Sequence, residues 1–241
     1  MSPSRETELR QLIARPFAHR GLHGQGRIEN SRAAFAAAIE ARHGIELDVQ
    51  AIALGEPVVF HDYDLERLTE ARGPVAGLAF EDVPTVRLKG SNETLPMLEE
   101  TLELISGRVP LLIEIKARGP AYHQLCYQVA NLLRGYIGPV AVMSFNPEIG
   151  RWFSRHEPAR LRGLVVTEKG RKWRGWLARR LALWRSKADF LAYDIRDLPS
   201  AFAESAQRRG VKVLTWTVRS VKDRARAAEH ADQIIYEAEK R

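Results

Sequence analysis

Cysteine is nearly absent from the chain: Cys126 is the only one among 241 residues. A lone cysteine excludes an intrachain disulfide framework and any zinc or redox site built on CxxC pairs, and it fits a reducing cytosol. Long apolar runs are also missing. No stretch approaches the roughly 20 residues that would span a bilayer. The opening residues, MSPSRETELRQLIARPF, carry charges where a secretory signal needs an apolar core. A cytoplasmic protein is therefore expected. No fixed-period repeat, low-complexity tract or linker breaks the sequence, so residues 1–241 are expected to form a single domain.

An even spread of charge is lacking too. The formal net charge is +7, and residues 168–187, EKGRKWRGWLARRLALWRSK, hold eight basic side chains against Glu168 alone. That one segment accounts for the whole excess. The basicity thus describes one tip or face, of the kind that attracts an anionic surface, rather than the whole molecule.

What is present is alternation. Short β-branched or apolar runs at 16–19, 45–50, 110–116, 139–144, 161–167, 189–194, 211–218 and 232–236 read as strands. Between most of them lie segments of helical spacing, such as NSRAAFAAAIEARHG, several closing on glycine. Eight strands alternating with helices in this length predict an α/β fold, a (β/α)8 barrel, with a doubly wound open sheet as the competitor. Residues 51–93 break the rhythm. They begin with a strand-like PVVFHD and continue as charged, Gly/Pro-rich sequence, which predicts an insertion after the second strand folded over one end of the barrel.

The polar residues inside the strands carry the chemistry. In IELDV, Glu46 and Asp48 are two apart, so both carboxylates point to one face and Ile45, Leu47 and Val49 to the other. LLIEIK repeats the pattern with Glu114 and Lys116. Salt bridges on a solvated edge would explain one such strand. Two matching strands, with a histidine closing the first, favour three inward carboxylates instead. These would repel one another severely unless a cation balances them, and oxygen-only ligation suits Mg²⁺ or Ca²⁺.

Taken in order, AHRG, EN, IELDV, VVFHDYDLERLT, LPMLEETL and LIEIK closely resemble the glycerophosphodiester phosphodiesterase family. The resemblance begins at Phe17, is dense to Lys116, and continues more thinly through MSFNPE, RLRGLVV and VKVLTWTVRS. It implies a (β/α)8 barrel with a small insertion, a divalent metal, and substrates that are phosphodiesters of glycerol. Carried over by residue, it makes Glu46, Asp48 and Glu114 metal ligands, with Glu29 as a further candidate. His19 and His61 become general acid and base, and Arg20 and Lys116 contact the phosphate. It also implies that the neighbouring glycerol hydroxyl is the nucleophile and that a cyclic phosphate forms. The chain departs from the family at Ser31, where threonine is usual. It departs again after the last strand, where DQIIYEAEKR has Glu237 and no proline in place of Thr-Asp/Asn-x-Pro.

Other residues stay open. Phe145 and Trp216, at strand ends, are candidates to wall the glycerol or acyl portion, although core aromatics would look the same. His23 and His43 read as loop or surface histidines rather than ligands. In the basic segment, Trp173, Trp176, Leu177, Leu181 and Trp184 follow helical spacing. This is either a barrel helix burying its stripe or an amphipathic helix in peripheral contact with an anionic membrane. The second reading would direct the enzyme to lysophospholipids, a lysophospholipase D-like activity. A catalytically silent lipid-headgroup binder is the third reading, disfavoured by the complete set of histidines and acids. No nucleic-acid partner is expected, because base-reading and stacking motifs are absent.

Overall fold

The computed structural model describes residues 3–117, 122–168 and 173–238. Lys169, Arg171 and Lys172 of the basic segment lie outside them, as do the side chains of Trp173 and Arg174. Eight parallel strands close into a barrel: β1 (Phe17–His19), β2 (Gly44–Ala51), β4 (Leu111–Ile115), β5 (Val140–Ser144), β6 (Leu161–Val166), β7 (Phe190–Asp194), β8 (Lys212–Val218) and β9 (Gln233–Tyr236). Closure is direct, since β1 pairs with β2 on one side and with β9 on the other. The extra strand β3 (Pro57–Val59) runs antiparallel to β2. The eight expected strands are the eight barrel strands. The open-sheet competitor falls because a doubly wound sheet leaves two unpaired edges.

Between strands lie α2 (Arg32–Glu40), α3 (Leu98–Ile105), α4 (Tyr122–Arg134), α5 (Pro147–His156), α6 (Trp173–Ser186), α7 (Ala201–Gln207) and α8 (Val221–His230). Their starts are set by local chemistry: the Ser31 and Ser220 hydroxyls accept from Ala34 and Asp223 N–H, and Asn146 caps α5 with Pro147 following. One helix was not expected. The charged N-terminus forms α1 (Pro3–Leu12), whose Leu9 and Leu12 pack with Phe17, Leu112, Phe190 and Leu214 in the barrel interior. Arg5 fixes it by donating two hydrogen bonds to Asp189, at 2.6 and 2.7 Å.

Alternation along the strands sorts the layers. Ile45, Leu47 and Val49 of β2 and Leu111, Ile113 and Ile115 of β4 face the helices, in one core with Leu98, Ile105 and Leu125. The opposite faces fill the barrel, apolar below and polar above: Phe17 then His19, Leu112 then Glu114. Space in the lower layer is tight. A Cβ on Gly44 would come within 2.6 Å of the Phe17 ring, and one on Gly163 within 2.3 Å of the Phe190 ring. Residues after β2 have a small core of their own, including Ile52, Phe60, Leu65, Val83, Leu88 and Leu95.

Candidate active site

The site sits at the C-terminal ends of the strands, where barrel enzymes carry their chemistry. Register places its carboxylates: Glu46 lies beside His19, and Asp48 beside Glu114. All three acids are buried, and a ligand oxygen from each lies within 4.8 Å of the others. Burial, then repulsion from Asp48 and Glu114, pushes the Glu46 carboxyl well above the usual range. Burial and the Asp48 charge push Glu114 up to about 7. Asp48 goes the other way. Burial opposes its charge, but Arg20, Lys116 and the two histidines outweigh burial and hold it low. Three buried acids in mutual repulsion, with oxygen donors only, are what a hard divalent cation requires.

The cationic groups converge on the same carboxylates. Arg20 approaches Asp48 Oδ2 with Nε at 3.2 Å and donates from Nη1 to Glu29 at 2.7 Å. Its Nε is buried without a hydrogen-bond acceptor. The Lys116 ammonium is 3.5 Å from Asp48 Oδ1. Asn30, buried and with φ of 54°, donates its side-chain N–H to Asp48 at 3.0 Å. Positive φ is uncommon for residues other than glycine, and here it aims an amide at an acid of the trio. Glu29, the fourth candidate ligand, stands apart from the trio. Its carboxylate is taken up by Arg20 and by Arg67 Nη2 at 2.7 Å, and Arg67 also holds Asp62.

Both expected histidines are anchored in the same way. His19 donates from Nδ1 to Glu237 Oε1 at 2.8 Å, which leaves Nε2 on the side of Glu46, 3.9 Å away. His61 donates from Nδ1 to Asp62 Oδ1 at 2.6 Å. A carboxylate can only accept, so each pair fixes the tautomer and leaves Nε2 with a free lone pair. Burial pulls both imidazoles below their ordinary value, against the pull of Glu237 and of Asp48 and Asp62. Burial disfavours the Glu237 charge, yet the bonds from His19 and Arg219 hold that carboxyl far below the usual range. Arg219 donates to both Glu237 oxygens at 2.7 Å.

Glu237 was visible in the sequence only as a departure. Its partner is 218 residues away, and barrel closure brings the two together. Phe145 and Trp216 meet edge to face, with centroids 5.6 Å apart, and Trp216 donates to the Ala192 carbonyl. Tyr193 points outward, to Glu168 and Ser200.

The glycine-rich stretch after His19 is a tight turn. Gly24 and Arg27 exchange backbone hydrogen bonds across Gln25 and Gly26, both at positive φ, the geometry of a two-residue hairpin turn.

A family profile described as the glycerophosphoryl diester phosphodiesterase family matches residues 19–236. The chain belongs to that family. The matched span runs from His19 to the last barrel strand. A glycerophosphodiester phosphodiesterase of Caldanaerobacter subterraneus is 28% identical over 224 residues, covering 87% of this chain and 88% of its own length. Another, from Bacillus altitudinis, is 36% identical over 113 residues, a match spanning 46% of that relative's length. Among solved structures, an Oleispira antarctica phosphodiesterase in complex with the product sn-glycerol-3-phosphate superposes with a TM-score of 0.82. It is 22% identical and covers 93% of each chain, and it shares the barrel fold. Members of the family depend on divalent metals, and the acid trio is a cluster able to hold one.

Proposed function

We propose that residues 1–241 act as one catalytic unit that hydrolyses glycerophosphodiesters to glycerol 3-phosphate and an alcohol. One observation carries this reading: three buried carboxylates lie between two carboxylate-anchored histidines, with Arg20 and Lys116 at the same acids. Glu46, Asp48 and Glu114 would hold Mg²⁺ or Ca²⁺, which when bound supplies positive charge against the negative charge that grows on the phosphoryl oxygens. Arg20 adds to this. Its guanidinium, fixed by Asp48 and Glu29, is a buried cation for a phosphate oxygen, and Lys116 contributes a second. One histidine takes the proton of the attacking glycerol hydroxyl while the other protonates the departing alkoxide. A P–O bond to the glycerol forms as the P–O bond to the alcohol breaks. Water then opens the cyclic phosphate with the two roles reversed. Each proton transfer is worth roughly 10²–10⁴ in rate. Phe145 and Trp216 wall the glycerol side of the mouth.

The test is hydrolysis of glycerophosphocholine beside a diester that lacks the neighbouring hydroxyl. Wild type cleaves the first only, and His19→Ala and His61→Ala each lose at least about 100-fold. Equal turnover of both substrates would refute the internal nucleophile.

A second reading concerns location, a cytoplasmic enzyme in peripheral contact with an anionic membrane. Helix α6 packs the half-buried Trp176, Ala182 and Leu183 against the barrel but exposes Leu177, Leu181 and Trp184 at 56, 59 and 63%. Arg180 lies over Trp176 and Lys187 over Trp184, so cations flank the apolar stripe. Arg179 does not belong to it, since it turns inward to Glu168. No described helix is long and apolar enough to cross a membrane. Such a contact would favour lysophospholipids as substrates. Co-sedimentation with phosphatidylserine vesicles that survives Leu181→Glu with Trp184→Ala would rule out α6 as the contact.

A further inference from the structure

A second group of potential ligands lies beside the acid trio. His19, His23 and Glu237 each offer one ligand atom, and the three atoms lie within 4.8 Å of one another. The group is assembled from both ends of the chain. The hairpin turn at Gly24–Arg27 follows directly on His23, and its Arg27 donates back to the Leu22 carbonyl. Closure of β9 on β1 brings Glu237 to the same place. We propose that His19, His23 and Glu237 form a site for a borderline metal ion such as Zn²⁺, separate from the Glu46–Asp48–Glu114 site.

Donor chemistry separates the two. Three carboxylates suit Mg²⁺ or Ca²⁺, whereas two imidazoles and one carboxylate suit Zn²⁺, with a fourth position left for water. In a tetrahedral Zn²⁺ site the ligand atoms stand about 3.4 Å apart. The 2.8 Å contact between His19 and Glu237 would therefore open by about half an ångström, with the ring proton moving from Nδ1 to Nε2 so that the ligand stays a neutral imidazole. Arg219 is largely exposed and holds both Glu237 oxygens. It can give up Oε1 to the metal and keep Oε2, a second-shell bond of the sort that orients a ligating carboxylate.

With Nδ1 on the metal and the ring proton on Nε2, His19 has no lone pair left for proton transfer, so Zn²⁺ acts as an inhibitor that leaves the oxygen site filled. That effect on turnover rests on the catalytic role proposed for His19. The binding itself does not, and the two are read separately.

Binding is measured on tag-free protein in excess Mg²⁺, by Zn²⁺ competition with a chromophoric chelator and by the visible bands of Co²⁺. Wild type is expected to bind one equivalent. His23→Ala and His23→Gln bind at least tenfold more weakly and lose the Co²⁺ bands, because a direct ligand costs no less than the 10–100-fold of an outer-shell partner. Glu114→Gln binds Zn²⁺ as wild type does. Circular dichroism of the metal-free His23 variants confirms that they fold. Absence of Zn²⁺ binding, or binding that either His23 variant leaves within tenfold of wild type, overturns the site. If binding follows His23 but Zn²⁺ leaves glycerophosphocholine turnover unchanged, the site stands and the proposed role of His19 falls.

Discussion

Replacing Glu114 by glutamine keeps the shape of the side chain and removes one of three buried charges. In the metal-free protein, burial and the Asp48 charge raise this carboxyl from the ordinary 4.5 to about 7. At about 1.4 kcal/mol per pH unit, ionising it in the fold costs about 3 kcal/mol. The folded-state value lies above the unfolded one. The protonated acid therefore contributes its full stability below about pH 4.5, and that contribution is lost as pH rises through about 7. Metal-free wild type should weaken across this window, and Glu114→Gln, in which the raised Glu46 still titrates, should weaken less, so at pH 8 the variant is the more stable protein by up to about 3 kcal/mol. A bound cation reverses the order. At about 1,000 times its Kd it stabilises wild type by about 4.1 kcal/mol, and the variant by much less. Urea unfolding at pH 5 and pH 8, in chelator and in Mg²⁺ or Ca²⁺, reads all four corners. A variant less stable than wild type in chelator at pH 8, with wild type gaining nothing from either cation, would refute the account of the trio.

Three further outcomes follow from the geometry. Glu237→Gln turns a charge-assisted bond to His19 into a neutral one, a loss of about 1–1.5 kcal/mol and so roughly tenfold in kcat with KM little changed. Because Glu237 raises His19 against burial, the pH limb that belongs to His19 should move to lower pH, and an unmoved profile with full kcat would dismiss Glu237 as a positioning residue. Asp62 is held at about 2, where burial opposes its charge and Arg67 and His61 outweigh burial. Its contribution to stability is present above its unfolded value and lost as pH falls towards 2, so Asp62→Asn should flatten the wild-type decline between about pH 4 and 2 in pH-dependent unfolding. Leu12→Ala, at a fully buried position of α1 inside the barrel, should cost about 2–5 kcal/mol, and a loss under about 1 kcal/mol by urea unfolding would mean that α1 is not a plug.

Much of this arrangement was legible in the residues. Period-two alternation in IELDV and LLIEIK puts acids on one face and aliphatics on the other, and β2 and β4 are built that way. The eight strands were readable because parallel barrel strands are short apolar runs between amphipathic helices. Three features were not readable. Helix α1 lacks a strong apolar face, and its two buried leucines make sense only once the barrel provides a floor. Glu237 looked like a defect in a motif, and its contact with His19 depends on closure of β9 against β1. In α6 the apolar residues divide between two faces, Ala182 and Leu183 inward and Leu177, Leu181 and Trp184 outward. Helical spacing alone does not say which face the barrel takes.

The acid trio and the two histidines are proposed as one metal-dependent phosphodiesterase site. Its most direct test is release of glycerol 3-phosphate from glycerophosphocholine by chelator-treated protein, before and after Mg²⁺ or Ca²⁺ is added back. No release is expected in chelator, with restoration by one of the two cations and no restoration in Asp48→Asn. Turnover that is indifferent to chelator, or that Asp48→Asn retains, would contradict it.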